Sequence, residues 1–201
     1  MDDSLPITCH LSGNWQVCSI PLDRDVQPDM LSFTEALTVP DATHLQLVLY
    51  PEQPYWGDHI RTVNETAWIY RRVFVPPNGS YQRARLCFEG VDYFASIWLN
   101  DHFIGHHEGH FSPFILDVTT ALRPNAENIL IVRVSAPWDT LNPRGNYPID
   151  HVTRGLVKGL YEHGEGVIPP NVNPLGIWRP VRLLLDAGIS IDHVGLTQLV
   201  E

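Results

Sequence analysis

Between Gly90 and Phe114 the run GVDYFASIWLNDHFIGHHEGHFSPF sets His102, His106, His107 and His110 around Glu108. Imidazole and carboxylate are the ligands of zinc and its neighbours, so a metal centre is the first chemistry to weigh. A zinc protease places H-E-x-x-H on a helix, where both imidazoles share one face. Here His107-Glu108-Gly109-His110 is one residue short, and Gly109 opposes a helix. In extended chain His106 and His107 point to opposite sides and cannot chelate one ion together. Only His102, His106 and His110 are left to meet across a turn. The plainer expectation is a structural stretch that holds no metal.

The thiols offer little more. Cys9, Cys18 and Cys87 are odd in number and widely spaced, which reads as buried free thiols rather than a disulfide framework or zinc ribbon. The whole chain bounds the remaining function classes. Its 201 residues are 44% hydrophobic and 10% aromatic, enough for one large core. A formal charge of −10 argues against nucleic acid and against an anionic membrane surface as partners. No apolar run approaches the roughly 20 residues of a membrane-spanning helix. The opening MDDSLPITCH shows neither the basic nor the apolar region of a signal peptide, and the compartment stays open.

The elements that must position any site are short strands. Alternating runs bounded by Gly, Pro, Asn or Asp recur, while a sustained helical period does not. In AWIYRRVFVPP, Trp68, Tyr70, Arg72 and Phe74 share one face, and Ile69, Arg71, Val73 and Val75 the other. In YFASIWLN, Phe94, Ser96 and Trp98 alternate with Ala95, Ile97 and Leu99. Asn100-Asp101 then sits where a tight hairpin turn is expected. RLCFEG, FILDV, NILIVRVSA and WRPVRLLLD read as further strands, with Pro180 suited to an edge or a strand start. Between FILDV and NILIVRVSA, at most one helical turn fits. These features predict an all-β fold, a jelly-roll sandwich of two antiparallel sheets. Two stretches break the rhythm, residues 51–66 and 138–176, and are expected to be long loops, the second ordered by its Gly, Pro and aromatic content.

With the strands placed, LSGNWQV (Leu11 to Val17), WIYRRVFVP (Trp68 to Pro76) and GIWRPVRLLL (Gly176 to Leu185) fall in a recognisable order. Between them, Phe88 to Val134 is similar to the pattern F-x-G-V-x-x-x-x-x-[VW]-x-[LV]-N-G-x-x-[VI]-G-x-H-x-G-G-[FY]-x-P-F-x-x-D-[VIL]-T and its continuation. Together these pieces resemble the N-terminal sugar-binding domain of glycoside hydrolase family 2, which includes β-galactosidases, β-glucuronidases and β-mannosidases. The resemblance spans most of residues 11 to 186. One departure is Asn100-Asp101 where the family has Asn-Gly, and the insert before GIWRPV does not point to one sugar.

The resemblance implies a galactose-binding-domain-like jelly roll over residues 1–188. Residues 189–201, ISIDHVGLTQLVE, would then be the first strand of a following immunoglobulin-like domain, with a catalytic (β/α) barrel beyond it. Retaining glycoside hydrolysis needs two carboxyl groups roughly 5–5.5 Å apart, and in this family both lie in the barrel. The chain has no βα repeat and is shorter than a barrel of about 250 residues, so no catalytic residue is expected within it. Its expected role is accessory: to support the barrel and lend rim residues to sugar recognition. No cofactor is implied. The partners implied are carbohydrate, the downstream domains and a homo-oligomer.

The rim candidates pair an indole, which stacks on a sugar's C–H face, with a carboxylate, which accepts from its hydroxyls. They are Trp56 with Asp58, Trp138 with Asp139, and the acidic loop residues Glu162 and Glu165. For each, a plainer role exists as a core-closing aromatic, a turn cap or a solvated loop. Tyr70, Trp98, Phe111, Phe114 and Trp178 are expected to pack in the core, and Arg71, Arg72 and Arg179 to pair with loop carbonyls or carboxylates. The rival reading is a free-standing carbohydrate-binding module or lectin, which the coding sequence beyond Glu201 would separate from the accessory domain.

Overall fold

Strands alternating apolar and polar can bury one face each, and two sheets of them enclose one core. The computed structural model describes residues 7–26, 31–33, 36–39, 44–54, 58–136, 173–186 and 195–198. In chain order its strands are β1 (Ile7–His10), β2 (Gly13–Pro21), β3 (Ala36–Val39), β4 (Thr66–Phe74), β5 (Arg83–Phe88) and β6 (Val91–Asp92). They continue with β7 (Phe94–Leu99), β8 (His102–Glu108), β9 (Phe114–Asp117), β10 (Asn128–Ser135), β11 (Gly176–Ile177) and β12 (Val181–Asp186). A four-stranded sheet runs β1-β12-β5-β9, and a six-stranded sheet runs β3-β2-β4-β10-β7-β8. The pair β11-β6 stands apart as a small two-stranded sheet. All pairings are antiparallel, as the alternation predicts.

The two faces of β4 follow the expected division. Tyr70 and Phe74, with Trp68 beside them, join the main core between the large sheets. Ala67 and Ile69 join a second cluster on the far side, with Ile20 and Ile131. Ala95, Ile97 and Leu99 of β7 are buried in the main core as the period of two requires. Arg71 donates to Gln16 Oε1 at 2.9 Å, and Arg72 to the Asn14 carbonyl. Pro180 immediately precedes β12, which is an interior strand, so the proline marks a strand start.

The hairpin between β7 and β8 is set by residues with positive φ, Asn100 at 50° and Asp101 at 68°. That is the pattern of a type I′ turn. Asn100 is held there by more than its backbone. Its Nδ2 donates to the Ala121 carbonyl at 2.8 Å and to Asn128 Oδ1 at 2.7 Å, while its Oδ1 accepts from the Ile129 amide at 2.9 Å. Asp101 is exposed, so glycine there should relieve left-handed backbone strain without losing packing. Asp101→Gly is expected to stabilise the chain by about 0.5–1 kcal/mol. A urea midpoint below that of the parent chain would contradict this.

Three sequence expectations need correction. The stretch 51–66 is not all loop: Asp58–Ile60 form a 3-10 turn and Arg61–Asn64 a short helix, α2, following α1 at Leu45–Leu49. The turn and α2 exist because Ile60 and Val63, three apart, are both driven into the interior. The three cysteines are free but only half-buried. Phe111 is 55% exposed rather than packed in the core, because the chain reverses at Gly109, whose φ is +145°. Of the tail expected as a strand, residues 195–198 are exposed and form no regular element, and the remainder lies outside the described residues.

Candidate functional site

The histidines of β8 disperse as extended chain dictates. His102 pairs with Leu99, His106 with Ser96 and His107 with Ala95 across the hairpin. His102 and His106 are exposed, whereas the His107 ring stacks on Phe114 with centroids 4.1 Å apart. Burial lowers the proton affinity of His107 against the pull of neighbouring Glu108. The four do not converge on one point.

His110 leaves the group altogether. The bend at Gly109, whose amide donates to the Tyr93 carbonyl at 3.1 Å, folds His110 back toward β6. There its Nδ1 lies 2.5 Å from Asp92 Oδ2. The same oxygen lies 3.7 Å from Nε2 of His44, the residue preceding α1. His44, Asp92 and His110 thus converge, each offering one ligand atom within 4.8 Å of the others. Only His110 belongs to the histidine-rich stretch. In the family pattern quoted above, position 110 is the second glycine, so this ring is a departure from it.

The small sheet β11-β6 and its flanks build the walls. Gly176 is registered against Asp92, and Gly90 lets the chain after β11 pass close enough for Trp178 to cover the cluster. A Cβ on Gly90 would stand 2.8 Å from the Trp178 indole nitrogen. The indole stacks on His44 at 5.6 Å and on His110 at 5.1 Å between ring centroids. Its Nε1 donates to the His110 carbonyl at 3.0 Å, and the Arg179 guanidinium lies over its ring at 4.5 Å. Exposed Phe111 meets the indole edge-on at 5.7 Å.

The interior position governs the charges. Asp92 is 0% exposed, and burial raises its pKa above the usual carboxylate range, opposed by His110. Burial, and then His110 itself, lower His44 to a pKa of about 4, so this imidazole is neutral at pH 7. Neither Asp92 oxygen accepts an aligned hydrogen bond despite the short approach of His110. A buried carboxylate without aligned donors calls for an explanation.

Of the six sequence-selected rim residues, the structure describes one. Asp58 opens the 3-10 turn, while Trp56, Trp138, Asp139, Glu162 and Glu165 lie outside the described residues. The cluster escaped sequence reading because its members come from three distant segments. The available signal was Asp92 inside the strongly apolar run VDYFASIWL, a carboxylate placed where burial is expected.

A profile of the glycosyl hydrolase 2 galactose-binding domain-like family matches residues 24–179. Beta-mannosidase B of Thermothelomyces thermophilus is 30% identical over 185 residues, covering 82% of this chain and 21% of that protein. A beta-glucuronidase of Paenibacillus borealis is 27% identical over 146 residues, covering 72% of this chain and 23% of that protein. Among solved structures, the beta-D-mannosidase of Dictyoglomus thermophilum superposes with a TM-score of 0.62 at 26% identity, covering 88% of this chain and 22% of that one. The chain therefore spans about a fifth of the length of the relatives it matches. The antiparallel sandwich, the order of its signature strands and the matching profile lead to one assignment: the chain belongs to the galactose-binding-domain-like family of glycosyl hydrolase 2.

Proposed function

We propose that this chain serves as the non-catalytic, N-terminal sugar-binding domain of a retaining glycosidase that acts on β-linked terminal sugars. The observation that supports this reading is the match to about a fifth of each glycosidase relative by a sandwich that fits the galactose-binding domain-like profile. In this reading the two catalytic carboxylates belong to a barrel of about 250 residues outside the chain, with an immunoglobulin-like domain between them. The sandwich buttresses the barrel, and Trp56, Asp58, Trp138, Asp139, Glu162 and Glu165 reach the rim of the sugar pocket. Carbohydrate is then bound by the assembled enzyme rather than by this chain alone.

Two measurements test the proposal. The purified 201-residue chain should show no turnover of aryl β-mannoside, β-glucuronide or β-galactoside above a heat-denatured control; turnover above it would refute the non-catalytic assignment. In the intact enzyme, Asp58→Ala and Asp139→Ala should each raise KM by about tenfold or more, the loss of one hydrogen bond to a charged group. Unchanged KM and kcat for both would leave these residues structural roles only.

A further inference from the structure

We propose that His44, Asp92 and His110 form a binding site for one divalent transition-metal ion, zinc being the best match. The donor set is two imidazole nitrogens and one carboxylate oxygen, the kind of mixed set in which zinc is commonly bound. Calcium and magnesium fit poorly, because they require about six or more oxygen ligands or a shell of retained waters. This site departs from the expectation of no metal drawn from the sequence, and it takes only His110 from the run weighed there.

The geometry is close to what the ion requires. Zinc bonds of about 2.0–2.2 Å arranged tetrahedrally place neighbouring ligand atoms about 3.3–3.5 Å apart. Asp92 Oδ2 to His44 Nε2 is 3.7 Å, already near that edge. Asp92 Oδ2 to His110 Nδ1 is 2.5 Å and must open by about 1 Å, within reach of a rotation of the His110 ring. His110 follows the bend at Gly109, outside the strand ladder, so such a rotation disturbs no backbone pairing.

The burial of Asp92 is the independent observation. A carboxylate with both oxygens inaccessible, met off-axis by the His110 nitrogen at 2.5 Å and by no aligned donor, is costly unless a cation shares the space. Among the described residues, no lysine or arginine is paired with it. A metal ion would satisfy the oxygen and the off-axis His110 nitrogen together. Trp178 lies against both imidazole rings and forms an apolar wall of the kind that limits solvent access to a metal site. Three protein ligands leave a four-coordinate ion one position for water or an external ligand. The ion would join the start of α1, β6 and the chain after β8, which are distant in sequence.

The test uses the purified chain, stripped with EDTA and exchanged into metal-free buffer. Zinc competition against a chromophoric chelator should give one ion per chain, with a dissociation constant of micromolar or tighter. Asp92→Asn and His110→Gln should each weaken binding by at least tenfold, while His106→Gln, on exposed β8, should leave it unchanged. A hundredfold excess of zinc over its dissociation constant should raise Tm by about 5–10 °C. Cobalt(II) should give the intense visible absorption of a four-coordinate complex, read on the unaltered chain so that the answer does not depend on a variant folding. Absence of that absorption, a dissociation constant above about 10 micromolar, or equal affinity in Asp92→Asn would each overturn the proposal.

Discussion

Gly176→Ala is expected to destabilise the chain by about 3–5 kcal/mol, the combined cost of a strained backbone and an overpacked core. Gly176 has φ +131°, a conformation closed to most L-residues. Its missing Cβ would lie 2.7 Å from the Tyr70 hydroxyl and 3.0 Å from the Leu45 amide nitrogen. Neither neighbour can withdraw. Tyr70 is 0% exposed on β4, an interior strand of the larger sheet, and the Leu45 amide donates to the Leu175 carbonyl at 2.7 Å. Urea unfolding measures the loss, and Tyr70→Phe in the same background should return about 1 kcal/mol by removing the clashing oxygen. A loss below about 1 kcal/mol for Gly176→Ala would show that the junction yields more readily than its packing implies.

Arg85→Met should cost a comparable amount by another route. Arg85 Nη2 and Nε donate to Asp186 Oδ2 at 2.8 and 3.1 Å, joining the adjacent strands β5 and β12. The side chains are only 11% and 4% exposed. Removing the guanidinium leaves a carboxylate in a dry place, which costs about 3–5 kcal/mol. The double variant Arg85→Met, Asp186→Leu should recover most of that loss, because a well-packed apolar pair often equals a buried ion pair. If the double variant is no more stable than Arg85→Met, the deficit lies in packing around the arginine stem rather than in the stranded charge.

The division between what the sequence disclosed and what it concealed follows the range of the forces involved. Strands β4, β7 and β10 were legible because each alternates every second residue against the same core, so the pattern is local. The Asn100-Asp101 turn was legible because both positions need positive φ, which asparagine and aspartate tolerate. α2 was not, because four residues carry too little period to read, and its formation depends on a core that other segments supply. The histidines misled by proximity: neighbours along an extended strand diverge, while His44, Asp92 and His110 meet through folding alone. Asp92 could be singled out as anomalous, but its partners could not be named from its surroundings in the sequence.

The order of strands in the smaller sheet also has a consequence for biosynthesis. β12 lies between β1 and β5, and its partner residues on β5 precede it by about a hundred residues. At about 5–20 residues per second, a ribosome completes β12 roughly 5–20 seconds after β5. For that interval the nascent chain holds one edge of β5 unpaired and lacks the core residues Val181, Leu183 and Leu185 that β12 supplies. The same sandwich that is closed once finished is, while being made, a surface on which chaperones or other unfinished chains can act.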